Sequence, residues 1–400
     1  MTEDYHEERS NVLTDLSRDP AMRQRPWWVV PLSLVAVTAV ICSLCLLAGF
    51  LVVRNALDNR QLQTPVVSLP EPEEVEPKPE FEGIVEEEGP AFTPATIEFS
   101  FNEVGYAVTP AVRNGVYWGA VRMVRALSRD DSLTQHGLYL DYYRRLTFDP
   151  AMDDAIDEVC AQMRQVRDTV GMDQATYAEF ILKYVQTIPY DFSRLETMGS
   201  DEVAEGDPRM PVQVLVDGTG DCDEKAMLAC ALLAHENYSI ALLLFEEDQH
   251  MALGIASERE GFQNSGFEFV EVTNPTYVSE LPVVTPEGGQ LTSDAMVLKL
   301  ESGTLAFPAF ALDDIAFIIR ARDTALEAAE AKRAYIESTP MTEDEYYYHL
   351  ALYEACYVAL NSLQMTVDEA GLPNAENPFM DRLTALAWLA QNYWWELEPV

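Results

Sequence analysis

The 400-residue sequence predicts an α+β domain held on a membrane tether and followed by a helical appendage. Three observations carry that prediction. Residues 27–53 contain no charge; an apolar helical stretch opening at Cys222 is followed by strand-like runs at 239–245, 250–256 and 267–273; and beyond about residue 310 apolar residues return to three-to-four spacing.

In chain order, residues 1–26 form a polar tail. The run from Trp27 to Val53 would span about 40 Å as a helix, more than the roughly 30 Å of a hydrocarbon core. It is too long for a signal-peptide h-region and lacks a small-residue cleavage site, so it reads as one retained transmembrane helix. Arg9, Arg18, Arg23 and Arg25 precede it, against Arg54 and Arg60 after it, which puts the N-terminus in the cytoplasm and the bulk of the chain outside. Residues 54–92 mix Pro65, Pro70, Pro72, Pro77, Pro79 and Pro90 with glutamates, including the run Glu86 to Glu88. Like charges and proline rings make this an extended spacer.

The globular domain is expected over 93–305. It opens with extended chain from Ile97 to Tyr106 and continues through helices near 110–127, 150–170 and 173–187. The appendage, 306–400, holds helical patterns over Asp313–Glu337, Glu343–Ala370 and Pro378–Glu396, and Thr342 with Glu345 makes a capping box for the second. Its aromatic residues, Tyr346, Tyr353, Trp388, Tyr393 and Trp394, read as packing, with a protein-binding surface as the alternative.

Composition narrows the partners. The chain carries 67 acidic residues against 26 basic ones, and from residue 93 onward 51 against 19, a net of −32. Such a surface repels phosphate backbones, so nucleic acid is not an expected partner. Six cysteines make no disulfide framework. Cys222 and Cys230 share one helix beyond bridging distance, while a Cys160–Cys356 bridge stays open. No spacing of Cys and His points to a metal, and no cofactor motif is present.

The chemistry-bearing stretch is Gly218-Thr-Gly-Asp-Cys-Asp-Glu-Lys-Ala226. Asp221 is a good N-cap and Glu224, three residues on, completes a capping box, placing Cys222 at the first helical position. From Ala226 to Ala234 the helix is apolar on all sides, so it should cross the domain centre with its N-terminus opening at a site. The helix dipole favours a thiolate by about 0.3–1 kcal/mol, too little to ionise a thiol of pKa about 8.5 at neutral pH. Asp221, Asp223 and Glu224 oppose it further, so a base is required.

His250 supplies that base, because it opens a strand and shares a face with Ala252, Gly254 and Ala256, small residues that would let a helix approach. A simple antiparallel hairpin sets Ala252 opposite Phe269 and His250 opposite Glu271, where a carboxylate can orient the imidazole. The Cys222 backbone N–H, with Gln186 or Gln213 as side-chain alternatives, is the candidate oxyanion donor. Asp248 and Glu247 read as a solvated turn.

Asp217-Gly-Thr-Gly-Asp-Cys-Asp-Glu-Lys-Ala226, then His250 opening a strand, then Phe269-Val-Glu-Val-Thr273, resembles the core of the transglutaminase-like superfamily, and Gln186-Thr-Ile-Pro-Tyr-Asp191 is similar to a segment of its microbial members. The resemblance covers about residues 145 to 275. It implies a papain-like fold, a Cys222–His250–Glu271 triad and acyl transfer from a protein or peptide amide through a thioester. Many members place Asp in the third role, where this chain offers Glu271. A catalytically inactive, scaffolding member of the same superfamily is the alternative.

Overall fold

The computed structural model describes residues 83–123, 134–193, 207–281, 291–363 and 380–392. These belong to the second of two compact units, Met1–Glu76 and Pro77–Val400. The expected tail 1–26 and transmembrane helix 27–53 lie outside the described residues, as does 54–82; no helix among the described residues is long and apolar enough to cross a membrane.

The part of the expected spacer that is described, 83–92, has no helix or strand but is not free chain. It lies along α1 (Asn114–Arg122). Glu86 pairs with Arg113, Glu87 pairs with Arg122 at 2.6 Å, and the Trp118 indole donates to the Pro90 carbonyl at 2.8 Å. Two of the glutamates that would stiffen a spacer find arginines instead.

The domain is α+β with antiparallel sheets. A hairpin of β1 (Ile97–Phe101) and β2 (Val104–Val108) turns at Asn102 and Glu103, both at positive φ. Ile97, Phe99 and Phe101 point inward by the period of two. Helices α2 (Gln135–Thr147), α3 (Asp153–Val170), α4 (Gln174–Thr187) and α5 (Pro211–Asp217) then surround α6 (Cys222–His235). Every residue of α6 from Glu224 to Leu233 is buried, as an all-round apolar helix requires. Neither α2 nor α5 was expected from sequence, and the helix expected over 110–127 runs only from 114 to 122, with 124–133 outside the described residues.

A four-stranded sheet in the order β5-β4-β3-β6 is formed by β3 (Ile240–Phe245), β4 (His250–Ala256), β5 (Phe267–Val270) and β6 (Met296–Glu301). One face packs on α6 through Met251, Leu253 and Ile255 of β4, within the main core. Ala252 belongs to a separate cluster with Leu243, Phe245 and Phe269. The small-residue face of β4 is therefore covered by aromatic rings, and it is the large-residue face that receives the cysteine helix. That is the reverse of the sequence expectation.

The hairpin register also differs. Leu253 pairs with Val270 and Gly254 with Phe269, a slide of two residues from the expected pairing. A two-residue slide keeps every side chain on its face, whereas a slide of one would have inverted them all. β5 stops at Val270 rather than running to 273 because the following carbonyls are bonded elsewhere: Gln186 donates to that of Glu271 at 2.8 Å and Lys225 to that of Thr273 at 3.2 Å.

Beyond the sheet, α7 (Ala309–Ser338) buries Leu312, Ile315 and Ile318, then an alanine stripe of Ala321, Ala325 and Ala329 where it pairs with α8 (Glu343–Leu363). The Thr342–Glu345 capping box forms as expected, with Thr342 N–H donating to Glu345 at 2.8 Å. Tyr346 and Tyr353 on α8 and Trp388 on α9 (Arg382–Gln391) are half-buried, Trp388 against the main core, while 393–400 lie outside the described residues. α9 joins the domain through Arg382, which pairs with Glu179 at 2.8 Å and Asp314 at 2.7 Å. Cys160, Cys222, Cys230 and Cys356 are all free thiols, so the Cys160–Cys356 bridge is not formed.

Candidate active site

The site begins where α6 does. Asp221 caps the helix by accepting from Glu224 N–H at 3.1 Å, and Glu224 returns the bond to Asp221 N–H at 3.1 Å. Glu224 is also neutralised: Arg209 donates to it from Nε and Nη2, and pairs with Asp191 at 2.9 Å and Asp217 at 3.1 Å. Through Asp191 this arginine fixes the 186–191 segment beside the cysteine turn, where the Gly220 N–H also donates to the Pro189 carbonyl. Glu224 therefore does not oppose thiol ionisation as its place in the sequence suggested.

Cys222 stands at the first helical position, 8% exposed. Its helix packs on β4, and the Met251 N–H, past the end of the β4–β5 ladder and next to His250 in sequence, acts on the thiol. Burial pushes the thiol well above its ordinary pKa, the Asp223 and Asp221 carboxylates add to that, and the Met251 N–H works against it.

His250 and Glu271 meet through their side chains, with Glu271 on the residue just past the end of β5. Nε2 of His250 lies 2.8 Å from Oε2 of Glu271, and both side chains are buried. The other carboxylate oxygen accepts from Thr273 N–H at 2.7 Å and from its hydroxyl at 2.6 Å. Burial acts to raise the Glu271 carboxyl, yet the His250 bond and charge and the Thr273 bonds hold it below its ordinary value. A buried carboxylate bonded in this way favours an imidazolium beside it.

Lys225 completes the frame. Its buried ammonium donates to the carbonyls of Gln186 (3.3 Å), Ile188 (2.6 Å) and Thr273 (3.2 Å), tying the cysteine helix to α4 and to the chain after β5. Burial lowers its pKa to about 7, with Glu271 opposing. Gln186 is a positioning residue: its amide nitrogen donates to the carbonyls of Glu271 (2.8 Å) and Thr276 (3.1 Å), so neither bond is offered to an oxyanion. Gln213 caps α5 by accepting from Met210 N–H at 2.9 Å. The Cys222 backbone N–H, at a position with no intrahelical acceptor, stays the oxyanion donor of choice.

Two residues take roles that sequence reasoning did not give them. Asp223 places one carboxylate oxygen 3.4 Å from the Cys222 sulfur and receives the Tyr143 hydroxyl on the other at 3.2 Å. Residues 246–249 are a largely exposed turn, as expected, but Asp248 also accepts the N–H and hydroxyl groups of Thr292 and Ser293, which lowers its pKa to about 2 and fixes the β3–β4 turn to the chain before β6. Among the described residues one group has metal-ligand proximity, Cys160, His235 and Glu236. Arg164 lies 2.7 Å from Glu236 and 3.5 Å from His235 Nδ1, so a cation already fills that role.

No protein-family model, curated protein or solved structure matches this chain.

Proposed function

We propose that this chain is a membrane-anchored, transglutaminase-like thiol acyl-transfer enzyme with a papain-like core, acting on protein or peptide amides as a peptidase, amidase or cross-linker. The observation that carries the proposal is the juxtaposition at the mouth of α6. A cysteine sulfur at a helix N-terminus meets the start of the strand whose first residue is a histidine, and that histidine is held by a buried carboxylate at 2.8 Å. No nucleic acid, metal or cofactor takes part in this reading. The uncharged run 27–53 supports a single-pass anchor with the domain on the extracytoplasmic side.

Glu271 occupies Nε2, so Nδ1 of His250 takes the Cys222 proton. The thiolate attacks the amide carbonyl, and the developing oxyanion is met by the Cys222 N–H. Collapse expels the amine, which receives the proton from His250, and leaves a thioester. Water or a second amine, deprotonated by the same imidazole, then attacks the thioester and returns the proton to the thiol.

One observation favours the second reading, an inactive scaffold: the thiol is hydrogen-bonded to Asp223 and only slightly exposed. His250→Ala separates the two. In the full-length protein, the pH profile of Cys222 alkylation, read by peptide mass spectrometry, should move to that of a more basic, unassisted thiol while thermal melts stay cooperative. An unchanged profile in a folded variant gives the lead to the scaffold.

A further inference from the structure

We propose that Asp223, steadied by Tyr143, is a resting-state latch on the nucleophile: it holds the Cys222 proton toward itself and away from His250 until the carboxylate gives way. The proposal rests on the thiol–imidazole reading above and adds a control to it.

A carboxylate oxygen is an acceptor only, so the 3.4 Å approach of Asp223 Oδ1 to the sulfur places the thiol proton between them. A thiolate in that place would face a like charge at the same distance. The latch is built rather than incidental. Its second oxygen is fixed by the Tyr143 hydroxyl at 3.2 Å, and Tyr143 is itself buried on α2, edge-on to Tyr142 at 5.2 Å. The groups around Asp223 are Cys222, Asp221 and Glu224 on its own helix, Tyr143 on α2 and His250 on β4. Glu224 is spoken for by Arg209, which leaves His250 as the cationic partner that would draw on the same carboxylate.

Two features let the latch open. Asp223 is half-buried, so an incoming peptide can offer it an N–H donor in place of the thiol. Burial also raises its pKa, against the bonds from Cys222 and Tyr143, which brings its protonation nearer to neutrality than that of a surface aspartate. Either event removes the acceptor from the thiol and turns its proton toward the imidazole. Activation of the nucleophile is thereby coupled to occupancy of the site.

The test compares the Cys222 alkylation profile of the full-length protein with those of Asp223→Asn, Asp223→Ser, His250→Ala and the Asp223→Asn/His250→Ala double variant, with melts to establish folding. Removal of the charge should speed alkylation at neutral pH by at least about tenfold, a fall of about one unit in the thiol midpoint. Should the amide variant fail to fold, the serine variant carries the same comparison. A midpoint that stays put or rises in a folded variant overturns the latch, and a rise would show Asp223 to be an aid to the ion pair. A gain lost in the double variant supports latch and base together. A gain that persists there keeps the latch and removes the base, so the two ideas fail separately.

Discussion

Replacing Glu271 by Gln tests the acid of the candidate triad with little change of shape. The carboxylate accepts three bonds, from His250 at 2.8 Å and from the Thr273 N–H and hydroxyl at 2.7 and 2.6 Å. An amide has only one oxygen. The Thr273 N–H is a buried donor that costs about 1–3 kcal/mol if left unmet, so the amide oxygen should stay with Thr273 and present its NH2 group to the imidazole. That reverses the bond to Nε2, which must then accept, and puts the ring proton on Nδ1, the nitrogen that has to receive the thiol proton. Losing a hydrogen bond to a charged group is worth about 1.5–3 kcal/mol, or about ten- to hundredfold in the thiolate–imidazolium population. Cys222 alkylation at neutral pH should slow by that factor. Stability adds a second readout with a fixed sign. The folded-state pKa of Glu271 is depressed, so its contribution is complete above its unfolded pKa of about 4.3 and disappears as pH falls through the lower folded value. The gap in melting temperature between the two proteins should hold from neutral to mildly acidic pH and close in stronger acid. An unaltered alkylation rate in a folded variant, or a gap that persists undiminished in strong acid, would refute the assignment.

The remaining predictions concern the wider structure. An iodoacetamide-type probe at neutral pH should label Cys222 ahead of Cys160, Cys230 and Cys356, since the sulfurs of Cys160 and Cys230 donate to main-chain carbonyls in the core and Cys356 is 1% exposed; equal labelling would remove the distinction. Arg382→Ala removes the cation facing Glu179, whose pKa burial already raises to about 7 despite the arginine; the carboxyl should then take up a proton, and the lost hydrogen bonds should cost about 1–3 kcal/mol at neutral pH in chemical denaturation, with α9 losing hydrogen-exchange protection first. A loss under about 1 kcal/mol would mean that α9 is held by its apolar face alone. For the proposed topology, protease added to intact cells should cut within 54–82 and release the domain; digestion of residues 1–26 instead would reverse the orientation.

What could be read from sequence was local. Asp221 and Glu224 announce the start of α6 because a capping box spans three residues, and the strand order β3-β4-β5 follows from adjacent runs joined by short loops. The His250–Glu271 contact was legible through parity alone, because a period of two assigns faces without fixing register. Register was set from outside the hairpin, by Gln186 on α4 and Lys225 on α6, and no pattern within residues 250–273 encodes where those donors arrive. The Asp223–Tyr143 contact joins residues 80 apart, and β6 pairs with β3 from more than fifty residues away, so both belong to tertiary structure. Leu298, Lys299 and Leu300 do alternate in burial, a short signal that gives a strand but not its neighbour. The candidate oxyanion glutamines were residues of suitable chemistry whose donors and acceptors the fold spends on positioning.

The offset between β4 and β5 makes side-chain length part of the site. The acid stands on the residue just past β5, beyond the last ladder pair Leu253–Val270, rather than directly across the ladder from the base. The acid must reach back along the sheet, and glutamate does so with one methylene more than aspartate. The register works as a ruler: a hairpin that put its acid directly across from His250 would suit the shorter residue, and this one suits the longer. The choice between the two acids is in this sense made where β5 ends, by a glutamine and a lysine that belong to other helices.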